Sequence, residues 1–301
     1  MSNFADRLIE SIKRKNSAIC VGLDPRLDLM PQEITGRYDS LKNNPAEYAA
    51  KIILDFNKAV IDAVADIAVA VKPQSAFYEQ YGMEGVRAFY ETMSYAGKKG
   101  LIVIADVKRG DIASTAQAYA IAYLKNSAAD AVTVNPYMGS DSVEPFVKVA
   151  KETDKGLFIL VKTSNPGSKD FQDQIISSDG KNKRLYEAVG SEVVKWGKGL
   201  VGKNGYSSVC AVVGATFPEE AAVLRKQMPN IIFLVPGYGA QSRNLSGKDL
   251  KKYFNETGLG AIVNASRSLI FAYKNPETTN WLAKIKEAVL LMKSDLAKVI
   301  K

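Results

Sequence analysis

Between positions 106 and 111 the chain reads Asp106-Val107-Lys108-Arg109-Gly110-Asp111, which sets two carboxylates and a lysine directly after an apolar run, 101–105. On an extended strand the side chains alternate, so Asp106 and Lys108 share one face while Val107 points the other way. A lysine held among acids out of water is a poised proton donor, whereas the same residues on a solvated loop form an ion pair of little consequence. No histidine occurs anywhere in the 301 residues, which excludes Ser-His-Asp and Cys-His catalysis and leaves any metal site to carboxylates. Lysine is the leading acid–base candidate.

Such chemistry needs a frame. Short apolar, β-branched runs recur at 18–23, 67–71, 101–105, 131–134, 157–161, 209–213, 231–235 and 261–263. Their hydrophobicity is continuous rather than alternating, which implies burial on both faces. Between them, 49–64, 85–96, 114–124, 142–150, 185–196 and 281–292 carry apolar residues at helical spacing, which implies parallel pairing through crossovers. Eight such units in this length predict an α/β fold, a closed (β/α)8 TIM barrel forming one domain over 1–301. Thr216 with Glu219, and Asp141 with Glu144, fit capping boxes at helix starts. The connections 25–44 and 165–183, after the first and fifth strands, are longer than a barrel requires; the second, rich in Ser, Gly, Asp and Lys, is a candidate mobile lid.

An extra N-terminal helix is expected over 2–15, with Phe4, Leu8, Ile9 and Ile12 on one face; its charges are wrong for a signal peptide. No run of about 18 apolar residues occurs, which excludes a membrane-spanning helix. Cys20 and Cys210 sit in apolar runs and read as small buried hydrophobes, so a reducing cytoplasm is the expected location. The net charge of +8 fits nucleic acid, an anionic small substrate or a solvated surface. Its lysines and arginines are scattered without interleaved aromatics, which argues against nucleic acid.

In a barrel of this kind the residues following each strand face a common mouth. Here they are Asp24, Lys72, Asp106 with Lys108, Asn135, Lys162 with Thr163 and Ser164, Gly214, Gly237 and Gly239 with Gln241, then Asn264 and Arg267. That ring of acids and bases is the expected active site. Three of these residues, and Asp111, also have a plainer reading. Lys72 could snorkel and cap carbonyls, Asp111 could cap the helix over 114–124, Asp24 could start a turn before Pro25, and Ser164 could be a turn serine. Gly237, Gly239 and Arg267 follow the seventh and eighth strands, where barrels often hold phosphate. A metal-dependent sugar-phosphate barrel, a lysine Schiff-base aldolase and a non-catalytic nucleotide-phosphate binder remain open from the residues alone.

With these residues in hand, the chain resembles the orotidine 5'-phosphate decarboxylases of the longer bacterial type, from about Ala18 to Tyr273. The pattern Asp-x-Lys-x-x-Asp-Ile is matched by Asp106, Lys108, Asp111 and Ile112. It is joined in order by Asp24, Lys72, Thr115, Thr163-Ser164-Asn165-Pro166-Gly167, Pro236-Gly237-Tyr238-Gly239-Ala240-Gln241 and Arg267. The resemblance implies a charged network of Lys72, Asp106 and Lys108, completed by Asp111 and accompanied by Thr115 from the other subunit of a homodimer. It implies Asp24 on the ribose, Ser164 on the pyrimidine edge, and Gln241, Gly239 and Arg267 at the phosphate. Lys108 would protonate the ring carbon as carbon dioxide leaves, with no metal or organic cofactor.

Overall fold

The chain begins with α1 (Phe4–Lys15), whose buried face is the one expected: Phe4, Leu8, Ile9 and Ile12. Asn3 caps it by accepting from the Asp6 N–H at 3.0 Å, and Asn16 ends it in the left-handed region, φ 44°. In this computed structural model, which describes residues 2–178, 180–239, 246–274, 278 and 280–300, eight parallel strands close into a barrel.

In chain order the elements are β1 (Ile19–Leu23), α2 (Gln32–Thr35), α3 (Pro45–Val64), β2 (Ala70–Pro73), α4 (Ala76–Glu79), α5 (Gly82–Lys98), β3 (Ile102–Arg109), α6 (Ala113–Ala120), β4 (Ala131–Val134), α7 (Ser140–Glu152) and β5 (Gly156–Lys162). A two-stranded hairpin follows, β6 (Ile175–Ser178) with β7 (Lys181–Arg184), and then α8 (Leu185–Gly197). The last third holds β8 (Ser207–Val213), α9 (Pro218–Gln227), β9 (Ile231–Pro236), α10 (Gly247–Lys251), β10 (Ala261–Ala265), α11 (Arg267–Ile270) and α12 (Trp281–Ile300). Around the barrel the order is β1-β2-β3-β4-β5-β8-β9-β10, so the hairpin is an insertion between the fifth and sixth barrel strands. This is the (β/α)8 TIM barrel expected.

Two layers of apolar packing hold the frame. Inside the barrel, Cys20, Ile104, Phe158, Cys210, Ile232 and Ile262 are buried, and α1 closes the floor beneath them. Phe4 meets Phe158 edge to face with ring centres 5.9 Å apart. Gly156 makes that fit possible, because a Cβ there would lie 2.1 Å from the Phe4 ring. Outside, Phe56 of α3 stacks on Phe271, just past α11, and on Trp281 of α12 at 5.5–5.6 Å, within the larger buried cluster that joins helices to strands. Both cysteines are free and buried; burial pushes the Cys20 thiol up to about 12 and raises that of Cys210. No helix among the described residues is long and apolar enough to cross a membrane.

Three local expectations need correction. Thr216 does not cap α9: Pro218 opens that helix after Phe217, and the Thr216 hydroxyl donates instead to the Ser164 carbonyl at 3.1 Å. Asp141 is not a cap, because α7 starts earlier from Gly139, leaving Asp141 in the first turn, where its charge still suits the helix dipole. Asp111 does not cap α6; it accepts from the Ile112 N–H at 2.8 Å, and Ile112 is the N-cap. The connection read as a mobile lid has regular structure of its own, a 3-10 turn at Pro166–Asp170 followed by the hairpin.

Candidate active site

Asp106 is the hub of the barrel mouth. Its carboxylate is buried and accepts four donors: Lys72 Nζ at 2.5 Å and Gln74 Nε2 at 3.3 Å on Oδ2, Lys108 Nζ at 2.6 Å and the Thr133 hydroxyl at 3.0 Å on Oδ1. A carboxylate has about four lone-pair directions, so Asp106 is saturated. Burial pushes its carboxyl up, but the Lys72 and Lys108 charges prevail and hold it at about 2. Burial likewise pulls the Lys72 ammonium down, and the charges of Asp106 and Asp24 more than reverse it, leaving Lys72 above the ordinary lysine value. Both shifts favour the ionised forms.

The strand geometry that delivers Lys108 is less simple than alternation. Register between β3 and β4 breaks after Ala105↔Val132 and resumes at Arg109↔Val134, so β3 carries two extra residues here. Within this bulge Lys108 adopts φ 46°, a left-handed conformation unusual for a side-chain-bearing residue. Thr133 holds the bulge. Its hydroxyl accepts the N–H groups of Val107 at 3.0 Å and Lys108 at 2.8 Å while donating to Asp106. Lys72 is fully engaged and buried, whereas the Lys108 side chain is 45% exposed and opens toward the mouth.

Beside this array lies a cleft of about 180 Å³ lined by Asp24, Lys72, Ser164, Gly237, Asn264 and Arg267 among others. Asp24 turns one carboxylate oxygen into buried surroundings where it has no partner, and the Asn264 amide oxygen is in the same condition. Gly22 leaves room for this corner, since a Cβ there would lie 1.9 Å from Ser266 Oγ and 3.3 Å from Asn264 Nδ2. Gly237 and Gly239 have φ of 96° and 85°, turns that a side chain would strain. Arg267 opens α11 and is exposed. Gln241 lies outside the described residues.

Asp24, Lys72, Asp106, Lys108, Ser164 and Arg267 are thus gathered at one end of the barrel. Asp111 and Thr115 are not joined to them: Asp111 makes no ion pair or hydrogen bond with Lys72, Asp106 or Lys108, and Thr115 is exposed. Ile112, next to Asp111, is an exposed apolar residue, and so is Met138, whose terminal methyl would lie 3.6 Å from a Cβ on Gly110. Lys162, expected at the mouth, is instead fully buried beneath the hairpin connection, 2.6 Å from Asp173. Thr133 went unread, although a hydroxyl in the otherwise apolar run 131–134 was a usable signal.

The sequence pattern of the orotidine 5'-phosphate decarboxylase / HUMPS family matches residues 17–280. A Caldicellulosiruptor bescii protein named orotidine 5'-phosphate decarboxylase is 42% identical over 306 residues, covering 96% of this chain and 98% of its own. One of the same name from Rhodopirellula baltica is 43% identical, covering 98% and 99%. The structure of Leishmania donovani OMP decarboxylase superposes with a TM-score of 0.77 at 35% identity, covering 100% of this chain and 99% of that one. With the barrel, its mouth and these relatives in agreement, the chain belongs to the orotidine 5'-phosphate decarboxylase family.

Proposed function

We propose that the chain converts orotidine 5'-phosphate to uridine 5'-phosphate and carbon dioxide in pyrimidine biosynthesis, and that it does so without metal or organic cofactor. The observation that carries this reading is the Lys72–Asp106–Lys108 array, with contacts of 2.5 and 2.6 Å, beside the cleft shared by Asp24, Ser164 and Arg267. Phosphate sits against Arg267 and the backbone at Gly237 and Gly239, with Gln241 as a further donor. Asp24 takes the ribose hydroxyls and Ser164 the pyrimidine edge. The substrate carboxylate then faces Asp106.

In the reaction the bond from ring carbon to carboxylate breaks, its electron pair stays on the ring, and carbon dioxide departs. Lys108 Nζ gives a proton to that carbon and is reprotonated from solvent. Repulsion between Asp106 and the substrate carboxylate supplies on the order of 4 kcal/mol for a close pair at an effective dielectric of about 20. Very efficient enzymes lower barriers by roughly 20 kcal/mol, so repulsion is a minor share. The rest comes from ammonium groups already in place when carbanion charge develops, and from phosphate binding energy that fixes the ring there. A divalent cation gains little at Asp106, because all four of its acceptor directions are taken, two of them by cations.

The active unit in this reading is a homodimer, in which Asp111 and Thr115 complete the partner's site. Its support is that Asp111 makes no ion pair with Lys72, Asp106 or Lys108 of its own chain and is followed by the exposed Ile112, with the exposed Met138 close to Gly110. The experiment that tests the reading is loss of orotidine 5'-phosphate absorbance with purified chain and excess chelator. Turnover unaffected by chelator is expected; no turnover, or turnover only with added metal, counts against it.

A further inference from the structure

Ser164 follows two residues, Lys162 and Thr163, that are gripped by a connection the reaction scheme does not use. Lys162, two residues before it on β5, is fully buried, yet its ammonium reaches no water-filled space. It pairs with Asp173 Oδ1 at 2.6 Å, lies 3.4 Å from Ser168 Oγ, and stands over the ring of Phe217 at 4.3 Å and that of Tyr186 at 5.6 Å. Asp173 belongs to the stem between the 3-10 turn and β6, and Arg184 at the hairpin's far end donates to its carbonyl at 3.0 Å. The neighbouring Gln172 clasps Thr163, accepting from its N–H at 2.9 Å and donating to its hydroxyl at 2.8 Å. Consecutive stem residues therefore grip the consecutive strand residues that precede Ser164.

On the opposite side Ser164 is closed in as tightly. A Cβ on Gly214 would lie 2.7 Å from its Cα, and Thr216 donates to its carbonyl at 3.1 Å. The register shift between β5 and β8, at Leu160 and Lys162, turns Lys162 away from the mouth and under the connection, which leaves Ser164 as the residue that faces the cleft. A buried ammonium with one carboxylate cannot lose that partner without remaining uncompensated, so the stem is tied to the strand.

We propose that Lys162 and Asp173 are a positioning pair for Ser164, setting where its hydroxyl meets the substrate ring. This rests on the reading of Ser164 as a substrate contact. Neither residue touches the reacting atoms; they act through the two-residue span from Lys162 to Ser164.

The test is a double-mutant cycle between Lys162→Met and Ser164→Ala, scored by kcat and KM for orotidine 5'-phosphate, with Tm measured for each variant. Lys162→Met removes the charge at similar length and leaves Asp173, which is partly exposed, free to hydrate, so this variant folds. Asp173→Asn is a second probe of the same pair. A misplacement of about 1 Å costs up to roughly a hundredfold, so a fall in kcat/KM of about tenfold or more is expected for each, with little further loss when Ser164 is already alanine. Unchanged kcat/KM in Lys162→Met, or losses that multiply in full with Ser164→Ala, would overturn the pairing and leave it a structural ion pair. Wild-type kinetics in Ser164→Ala alone is a different result: it removes Ser164 as a contact, and the proposal with it.

Discussion

Thr133 Oγ1 lies 3.0 Å from Asp106 Oδ1 and donates to it, while accepting the N–H groups of Val107 and Lys108. One hydroxyl on β4 thereby fixes both the carboxylate and the backbone turn that carries Lys108. Thr133→Val keeps the shape and removes the hydrogen bonds, leaving the buried Val107 N–H and one direction of the buried Asp106 carboxylate unmet, each costing about 1–3 kcal/mol, and freeing the part-buried Lys108 N–H. We expect kcat to fall by one to two orders of magnitude with a smaller change in KM, measured by steady-state kinetics. An unchanged kcat would show that the bulge at Lys108 holds without Thr133.

The phosphate corner gives a prediction with its own rescue. Gly22→Ala puts a methyl 1.9 Å from Ser266 Oγ, so Ser266 must move, and Arg267 is its chain neighbour. KM for orotidine 5'-phosphate is expected to rise about tenfold or more if Arg267 holds the phosphate as proposed, since a small displacement of an arginine that pairs with phosphate is costly. Adding Ser266→Gly removes the clash and should recover most of the loss. Failure of the second substitution to recover KM would place the damage elsewhere than at Arg267.

The charged centre also sets a pH dependence of stability. Asp106 is depressed to about 2 from an ordinary 3.8, so its contribution is fully present above about 4 and is lost as pH falls toward 2. Lys72 is raised above 10.5, so its contribution is complete below that value and fades only at higher pH. Asp106→Asn leaves the buried Lys72 without its charge partner, a loss of about 3–5 kcal/mol. The Tm gap between wild type and Asp106→Asn should be level from pH 5 to 8 and narrow below pH 4. A gap that stays constant to pH 2 would mean Asp106 does not carry the pairing.

Much of this frame could be read from the residues, and the exceptions share a cause. A parallel barrel buries both faces of each strand, so its strands stand out as apolar runs; 131–134 coincides with β4, and 231–235 differs from β9 by one residue. The apolar run ends at Ala105, yet β3 continues to Arg109, where Asp106 is satisfied by Lys72 and Thr133 and Arg109 by Glu79. Bulges cannot be seen in a pattern of residue types. The β3 bulge still left Asp106 and Lys108 together, as alternation predicts, whereas the shift on β5 carried Lys162 away from the mouth to Asp173. The caps depart from the residue pattern for separate reasons: Thr216 has a long-range use with Ser164, α7 starts earlier from Gly139, and Asp111 bonds the adjacent Ile112 N–H.

The shared-site part of the proposal is testable by mixing. Lys108→Ala and Asp111→Asn homodimers should each be inactive, and a heterodimer of the two holds one site with both wild-type residues. After verified subunit exchange of equal amounts, about half the dimers are mixed with one intact site each, so recovery of roughly a quarter of wild-type activity is expected. No recovery would mean that Asp111 serves its own chain.

The central claim is that Lys108 delivers the proton. It is tested most directly by Lys108→Ala, assayed for orotidine 5'-phosphate turnover alongside calorimetric binding of uridine 5'-phosphate. Turnover reduced to background with product binding retained is the predicted result. Substantial residual turnover by a variant that still binds product would contradict it.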